Sequence, residues 1–368
     1  MAEEGIEKFI RPELVDFGGY AASKSPETLK GKVEVSIESI IKLDANENPY
    51  GCSQKVSKAL ADYRDINIYP DSGQTEIRKQ LQGYTGVPME HIVAAAGSDQ
   101  LIDLILRLFI NPGDEVINCV PTFAMFHFFI ELNRGVPVEV RRDKYFNVHV
   151  ADVKKAITKK TKLIMLATPN NPTGTITPRE DILEILDTGL PIVVDEAYFE
   201  FTGETVAPLV GKYKNLMVLR TFSKWAGLAG IRIGYGMFPV KIADYLLRIK
   251  EPYCVNVAAL VAVRETLKDI DALMNRVKTI ISERERLYSE LQGIKWLKPY
   301  PSQANFILCS VLKGRAKEIQ QKLQDRGILV RYFDQPLLKD SIRISIGRPE
   351  ENDILIETLN ELEEELDG

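Results

Sequence analysis

The sequence predicts an α/β fold with a large three-layer αβα domain, built on a mostly parallel sheet, and a smaller α+β domain. From about residue 101 to 219, short apolar runs rich in Val, Ile and Leu alternate with stretches of helical periodicity. This alternation is typical of a parallel sheet covered by helices on both faces. After about residue 251, one long helical region is followed by mixed strands and helices, which is typical of a separate α+β unit.

The best-specified unit is a strand–turn–helix–strand segment over residues 162–199. Its strands are KLIMLA and PIVVDEAYF, its turn contains PNNPTG, and its helix lies in TITPREDILEILDTGL. We expect Thr177 to begin the helix, with Pro178 at the first helical position and Glu180 completing a capping box. A further apolar run, NLMVLRTF, extends the same architecture.

We predict a large domain over residues 46–270. Residues 1–45, with paired glycines and two prolines, are expected to form an N-terminal arm, which joins residues 271–368 in the small domain. There ANFILCSV, ILVRYF and SIRISIG are predicted strands, and AKEIQQKLQDRG and the acidic C-terminal segment are predicted helices.

Composition and charge exclude several classes of protein. The 368 residues suggest about two domains. Lys and Arg number 47 against 52 Asp and Glu, a net charge of −5, which does not attract nucleic acid or anionic lipid. The N-terminus MAEEGIEKFI is unlike a signal peptide, and no apolar run is long enough to span a membrane. We therefore expect a cytoplasmic protein without membrane or nucleic-acid partners.

The cysteines and histidines predict no metal site. The four cysteines are far apart and form no CxxC pair, and the three histidines lack the HExxH spacing. His127 lies in the aromatic run FAMFHFF, which favours packing over ligation. We expect reduced, mostly buried thiols and no bound metal.

The segment RTFSKWAGLAGIRIGYG carries the most informative chemistry. Ser223 and Lys224 follow an apolar strand directly, where open α/β sheets bind ligands, and Arg232 comes eight residues later. A partly dehydrated lysine loses its proton more easily, and the neutral amine forms a Schiff base with an aldehyde. A hydroxyl and a guanidinium together hold a phosphate. The combination indicates pyridoxal 5′-phosphate, although Lys224 alone would be interpreted as a solvated charge.

Asp195 ends the apolar run PIVV, and Tyr198 follows three residues later. A buried carboxylate is costly to desolvate unless it meets a cation, and a protonated pyridine nitrogen would supply one. At ~4 Å and an effective dielectric of ~20 the attraction is about 4 kcal/mol, roughly three pKa units, which keeps the ring protonated and electron-withdrawing. Tyr198, and Asn171 in the turn PNNPTG, are candidates to donate to the ring oxygen.

Two nucleotide-binding interpretations each lack a required sequence feature. Asp195 and Glu196 after an apolar run resemble a Walker B element, but no GxxxxGK[ST] string occurs in the chain. Gly234 and Gly236 begin a GxGxxG pattern whose third glycine is replaced by Pro239. We set nucleotide hydrolysis aside, and a dinucleotide site is weakly supported.

A predicted helix begins at Ser98 and Asp99, after the small residues AAAG. Backbone N–H groups at a helix N-terminus bind phosphate, so this end is a second candidate anion site, with an ordinary N-cap as the alternative. Phe123 in PTFAMF is placed either to stack on a cofactor ring or to fill the core.

These motifs, in this order and spacing, resemble the fold type I, aspartate aminotransferase superfamily of enzymes that depend on pyridoxal phosphate. The segments LDANENPYG, YPDSG, AAAGSDQLID, TFSKWAGLAGIRIGY and SIRISIG are similar to the branch that acts on histidinol phosphate. The resemblance runs from about residue 11 to Arg343. It implies that Lys224 bonds to the cofactor and moves the proton, that Asp195 pairs with the pyridine nitrogen, and that Asn171 and Tyr198 contact the ring oxygen. The residues that it assigns to the phosphate are Ser98, Asp99, Ser223 and Arg232.

The resemblance also implies subunit and substrate contacts. Tyr69 matches a tyrosine that reaches the phosphate of the neighbouring subunit, which implies a homodimer with shared sites. Phe123 stands where relatives commonly have tyrosine, so stacking is expected without a hydroxyl role. Arg343 matches the arginine that holds the substrate anion, and strand alternation in SIRISIG places it opposite the isoleucines. Tyr20 and Arg331 are further candidate substrate contacts.

The implied reaction transfers the amino group of histidinol phosphate to 2-oxoglutarate, giving imidazole acetol phosphate and L-glutamate in histidine biosynthesis. One guanidinium can pair with either the phosphate or the α-carboxylate. The runner-up is an aromatic amino acid aminotransferase on the same scaffold, followed by a phosphothreonine-type decarboxylase. A regulator that only senses the cofactor would need a DNA-reading segment, and the N-terminal arm offers none.

Overall fold

The computed structural model describes residues 5–19, 26–29, 36 and 39–367. Within this part of the chain, strands occur at β1 (Ile41–Leu43), β2 (Ile92–Ala95), β3 (Glu115–Val120), β4 (Val136–Arg141), β5 (Thr161–Ala167), β6 (Ile192–Asp195), β7 (Leu216–Thr221), β8 (Gly234–Met237), β9 (Leu297–Pro299), β10 (Phe306–Val311), β11 (Ile328–Tyr332) and β12 (Ser341–Ser345). The α-helices are α1 (Pro12–Val15), α2 (Gln54–Asp62), α3 (Thr75–Thr85), α4 (Ser98–Phe109), α5 (Ala124–Leu132), α6 (Val150–Lys155), α7 (Arg179–Leu186), α8 (Val240–Ile249), α9 (Val257–Leu267), α10 (Ile270–Gln292), α11 (Ala316–Asp325) and α12 (Pro349–Asp367).

Seven strands form the large sheet, in the order β2-β8-β7-β6-β5-β3-β4. The pairs from β7 to β4 are all parallel, and β8 alone runs antiparallel to its neighbours. Alternate residues of β6 belong to different apolar clusters, Val194 to one and Val193 to the other, because successive side chains point to opposite faces. The sheet is thus buried on both faces, and the predicted three-layer architecture is confirmed.

The predicted unit around β5, α7 and β6 is present, but its predicted capping box is wrong. The helix begins at Arg179, and Pro178 precedes it without any side-chain cap. The Thr177 backbone N–H instead donates to the hydroxyl of Thr168 at 3.0 Å. Because this bond ties Thr177 to the end of β5, the helix begins one residue later than the sequence signal indicated.

A second sheet of five strands has the order β1-β11-β12-β10-β9, with β1 parallel to β11 and the other pairs antiparallel. Its first strand comes from the N-terminal part of the chain and the others from the C-terminal part. Leu308 of β10 lies opposite Arg343 of β12, and Arg331 of β11 lies opposite it on the other side. The predicted domain boundaries at 46–270, 1–45 and 271–368 stay a prediction.

A cavity of about 920 Å³ opens at the carboxyl ends of β5, β6 and β7. The second sheet also contributes to its wall, through Arg331 and Arg343. Open α/β sheets bind ligands at this edge, so the fold places a candidate site between the two sheets. No helix within the described residues is both long and apolar enough to cross a membrane.

Candidate active site

Most of the residues singled out from the sequence meet in this one cavity. Those that line it are Ser98, Asp99, Phe123, Asn171, Asp195, Tyr198, Ser223, Lys224, Arg232, Arg331 and Arg343. Tyr69 does not line it; its side chain is exposed and stacks on Tyr253, with ring centroids 4.3 Å apart. Tyr20 lies outside the described residues. Within the described residues, no cluster of three or more His, Cys, Asp or Glu side chains could hold a metal ion.

Lys224 lies three residues beyond the end of β7, and its amine points into the cavity. The Nζ atom donates a hydrogen bond of 3.0 Å to the carbonyl of Ala45. Burial, together with the nearby positive charge of Arg343, lowers the pKa of Lys224 to about 8. A neutral amine is therefore far more accessible here than on a surface lysine. Such an amine can attack a carbonyl carbon and can accept a proton.

Asp195 ends β6 and presents its carboxylate to the same cavity. One oxygen accepts a 2.9 Å hydrogen bond from the backbone N–H of Ala197. Burial raises the pKa of Asp195 to about 7, and the charge of Lys224 acts in the opposite direction. A cation at the other oxygen would restore the ionised form, since an opposite charge nearby stabilises it.

Tyr198 follows on the wall of the cavity. Its hydroxyl accepts a 2.8 Å hydrogen bond from the side-chain amide of Asn46, and its ring meets Phe306 edge-on at 5.1 Å. Asn46 is itself held by the hydroxyl of Ser345, which donates to it at 3.0 Å. The sequence analysis gave Asn46 no role, although it lies in the segment LDANENPYG that supported the family resemblance.

The N-terminus of α4 and a close glycine pair form a candidate anion cup. Gly97 precedes the helix with φ +89°, and a Cβ there would lie 2.6 Å from the Nη2 atom of Arg232. A Cβ on Gly234 would overlap the backbone nitrogen of Ser98. Only glycines allow this approach. The first N–H groups of α4 and its dipole then favour an anion beside Arg232.

Side chains complete the anion cup in different ways. Arg232 forms an ion pair with Asp99, with 2.7 Å between Nη2 and Oδ2. Because a carboxylate repels an anion, Asp99 can contribute to phosphate binding through its backbone N–H and by orienting Arg232. The Ser223 hydroxyl accepts a 2.9 Å hydrogen bond from Thr221, which directs its own proton elsewhere. Thr221 was not singled out from the sequence.

Arg343 presents a buried guanidinium from β12. One nitrogen donates to the Asn171 side chain at 2.6 Å and another to the carbonyl of Asp44 at 2.6 Å. The guanidinium carbon also lies 5.3 Å from the centre of the Phe306 ring. Arg331 lines the same part of the cavity, so two positive charges lie at this end. This end suits an anionic substrate group.

Phe123 immediately precedes α5 and lines the cavity. Its ring meets Phe126 edge-on, with centroids 5.8 Å apart. The ring therefore packs on the core and also lines the cavity, and its stacking on a cofactor ring stays a prediction. The cavity thus combines an amine with a lowered pKa, a buried carboxylate, an anion cup, an aromatic face and a guanidinium. These groups together can support amino-group chemistry on a carbonyl compound.

The chain belongs to the aminotransferase class I and II family, whose sequence model matches residues 38–359. Among its relatives, histidinol-phosphate aminotransferase from Dehalococcoides mccartyi is 57% identical over 98% of this chain and 99% of the relative. The chloroplastic histidinol-phosphate aminotransferase 1 of Arabidopsis thaliana is 41% identical over 96% of this chain and 86% of the relative. The family resemblance found in the sequence is confirmed.

Solved structures agree with this placement. Histidinol-phosphate aminotransferase from Sinorhizobium meliloti, in complex with pyridoxal-5'-phosphate, superposes with a TM-score of 0.86 at 26% identity, covering 94% of this chain and 96% of that one. The enzyme of the same name from Clostridium acetobutylicum superposes with a TM-score of 0.83 at 23% identity, covering 89% of this chain and 100% of that one. The second comparison supports the fold alone.

Proposed function

We propose that the protein is a pyridoxal-phosphate-dependent aminotransferase that moves the amino group of histidinol phosphate to 2-oxoglutarate, in histidine biosynthesis. The observation that carries the proposal is the placement of Lys224 and Asp195 on one cavity with the guanidinium of Arg343. The 57% identity to a histidinol-phosphate aminotransferase over 98% of the chain supports the choice of substrate.

The residues present fit the cofactor. Bound pyridoxal phosphate supplies an aldehyde that bonds to amines and an electron-withdrawing ring that stabilises a carbanion. Lys224 would hold the aldehyde carbon, and the carboxylate of Asp195, which forms no ion pair within the described residues, would face the pyridine nitrogen. The cup at α4 would take the phosphate, since the glycines at 97 and 234 let Arg232 and the Ser98 backbone approach closely.

Lys224 has two tasks in the proposed reaction. Its amine would hold the cofactor in the resting enzyme, and as a free amine it would accept the proton from the substrate carbon. The pKa of about 8 suits both tasks, since a base works best near the pH at which it operates. Tyr198 and Asn171 both line the cavity and would contact the ring oxygen.

Arg343 holds the substrate anion in this proposal. The phosphate of histidinol phosphate and the α-carboxylate of glutamate both accept two parallel hydrogen bonds from a guanidinium. One residue thus serves both halves of the reaction, and Arg331 adds positive charge at the same end. A site that holds both substrates by one arginine can alternate between them without rearranging.

We also propose that the protein works as a homodimer in the cytoplasm. Tyr69 is exposed together with Ile66 and Ile68, and it does not line the cavity of its own chain. An exposed apolar group of this kind favours a protein interface. With a second copy of the chain on this surface, Tyr69 would reach the neighbouring anion cup.

Cofactor attachment is the first test. Purified protein incubated with pyridoxal phosphate should show the visible absorbance of the bound cofactor, and borohydride should fix the cofactor to the peptide that contains Lys224. Lys317→Arg, an exposed lysine on α11, serves as the control and should label at position 224 like the wild type. Cofactor-treated wild-type protein with no label at Lys224 would remove the proposal.

The choice of amino donor is the second test. Histidinol phosphate, phenylalanine and tyrosine are compared as donors to 2-oxoglutarate. We expect kcat/KM to be at least about tenfold higher for histidinol phosphate, because a donor lacking the phosphate leaves buried cations unpaired. Efficient turnover of the aromatic amino acids alone would identify an aromatic aminotransferase, and carbon dioxide released from phosphothreonine would identify a decarboxylase.

A further inference from the structure

A buried ionic cluster lies behind the cavity, between β6 and β7. The guanidinium of Arg220 contacts one carboxylate oxygen of Glu196 through two nitrogens, at 3.0 and 2.8 Å. The Thr205 hydroxyl donates to the same oxygen at 2.7 Å. The Arg220 and Glu196 side chains are 4% and 1% exposed, and the guanidinium lies 3.6 Å above the centre of the Phe199 ring.

The cluster continues to the residue that follows Lys224. Glu200 faces Arg220, and one of its oxygens accepts a 2.9 Å hydrogen bond from the hydroxyl of Tyr84. The ring of Tyr84 stacks on the indole of Trp225, with centroids 5.6 Å apart and planes 25° apart. The side chains of Glu196, Arg220, Glu200, Tyr84 and Trp225 do not line the cavity.

We propose that Glu196, Arg220, Glu200 and Tyr84 form a positioning cluster that fixes the Asp195 carboxylate and the Lys224 amine relative to each other. Glu196 follows Asp195 in the chain, and Trp225 follows Lys224. Each reactive residue is therefore one peptide bond away from a side chain that the cluster immobilises. The inference rests on the proposed function, because it concerns the geometry of those two groups around one cofactor.

Stability alone is a weak reason for this arrangement. Desolvating two charges costs several kcal/mol each, and apolar side chains of similar volume often stabilise a core as well or better. A paired guanidinium and carboxylate instead fix orientation, because the planar guanidinium holds both side chains in one relative arrangement. A lysine in place of Arg220 keeps the charge and loses that orientation.

The test compares Arg220→Lys, Glu200→Gln and Tyr84→Phe with the wild type. Arg284→Lys is the matched control, because Arg284 is equally buried on α10 and lies outside both the cluster and the cavity. The resting enzyme, loaded with pyridoxal phosphate, is titrated with pH and its absorbance midpoint is recorded without turnover. The values of kcat, KM and Tm are measured alongside.

For Arg220→Lys we expect an absorbance midpoint shifted by about half a pH unit or more, because the effect of the Asp195 charge on a neighbouring titrating group depends on the distance between them. We expect kcat to fall about tenfold while KM for both substrates stays within about twofold, since a small misplacement acts on the reacting atoms. Tyr84→Phe and Glu200→Gln should shift the midpoint in the same direction by less. Arg284→Lys should change only Tm.

Two results would overturn the inference. One is a lowered Tm in the cluster variants with a midpoint and kcat equal to those of the wild type, which is what a merely structural role produces. The other is a change of the same size in Arg284→Lys. If Arg220→Lys does not fold, Tyr84→Phe and Glu200→Gln decide by the same criteria. Failure of the proposed function is separate, because the wild type itself would then not retain the cofactor.

Discussion

The Nη1 atom of Arg343 lies 2.6 Å from the side-chain oxygen of Asn171. Arg343 belongs to β12 of the five-stranded sheet, whereas Asn171 lies in the loop after β5 of the seven-stranded sheet. This one hydrogen bond therefore joins the two sheets across the cavity. It also engages the Asn171 oxygen, so that the amide nitrogen is the group better placed to donate to a ligand.

Arg343→Lys should weaken the binding of both substrates by a similar amount. A lysine keeps the charge but not the pair of parallel hydrogen bonds, and a charge-assisted hydrogen bond is worth about 1.5 to 3 kcal/mol. We expect kcat/KM for histidinol phosphate and for 2-oxoglutarate to fall by roughly 10- to 150-fold each. Steady-state kinetics with each substrate measure this. Arg315→Lys, at the half-buried residue just before α11 and outside the cavity, should change neither value. A loss confined to one substrate would mean that the two anions bind at different residues.

Cofactor uptake should follow the ionisation of Lys224. Only the neutral amine reacts, and with a pKa of about 8 its fraction rises with pH and levels off above that value. An ordinary lysine, near 10.4, would keep gaining reactivity for two further pH units. The measurement is the rate at which cofactor-free protein gains absorbance on mixing with pyridoxal phosphate at pH 6 to 10. A model amine under the same conditions corrects for the ionisation of the cofactor, and a rate still rising at pH 10 contradicts the prediction.

Asp195→Asn should stabilise the cofactor-free protein while abolishing turnover. Burial raises the pKa of Asp195 to about 7, above its unfolded value, so the folded state holds a proton that the unfolded state releases. The carboxylate therefore reduces the free energy of unfolding progressively as pH rises to about 7. We expect the substitution to raise the free energy of unfolding by about 2 to 3 kcal/mol more at pH 8 than at pH 5.

Urea denaturation of both cofactor-free proteins at the two pH values gives the comparison for Asp195. Asparagine can still accept the hydrogen bond from Ala197, so the variant isolates the charge. An equal gain at pH 5 and pH 8 would show that ionisation of Asp195 is not the cause.

Complementation between two inactive variants tests the shared site. We expect Tyr69→Ala to lose activity when the cofactor is limiting, and Lys224→Ala to be inactive throughout. In a mixed dimer, the site that keeps Lys224 would receive the intact Tyr69 of its neighbour. If subunits exchange freely, about a quarter of all sites become active, because half of the dimers are mixed and each has one complete site.

Co-expression of the two variants, followed by assay at limiting pyridoxal phosphate, measures the recovery. Combining Tyr69→Ala and Lys224→Ala in the same chain and co-expressing it with Lys224→Ala is the control, because no mixed dimer then has a complete site. Absence of recovery in verified mixed dimers would place Tyr69 outside the active site.

Local patterns predicted the elements that carry the chemistry. The strands β5, β6 and β7 and the helix α4 follow from apolar runs and helical spacing. A candidate residue ends β6, another begins α4, and others lie within four residues of the ends of β5 and β7. Asp195, Lys224 and Ser98 are therefore positioned by short-range rules. The same rules failed at Thr177, where a hydrogen bond to Thr168 competes with the capping box.

Long-range contacts could not be predicted in this way. Asn46 and Tyr198 are separated by 152 positions, and no periodicity relates them. The buried pair of Glu196 and Arg220 could not be predicted for the same reason, since it depends on the register of β6 with β7. In both cases one partner was noticeable in the sequence, because Tyr198 and Glu196 closely follow the apolar run PIVV. The other partner, Asn46 or Arg220, can be identified only from the folded structure.

The hydrogen bond between Arg343 and Asn171 joins two sheets on which selection can act separately. The amine at position 224 and the acid at 195 belong to one sheet, whereas the arginine for the substrate anion belongs to the other. Substitutions in the C-terminal strands can therefore retune which donors are accepted and leave the reaction itself intact. A lineage built on this scaffold can acquire new substrates by altering one sheet, provided that the contact across the gap survives.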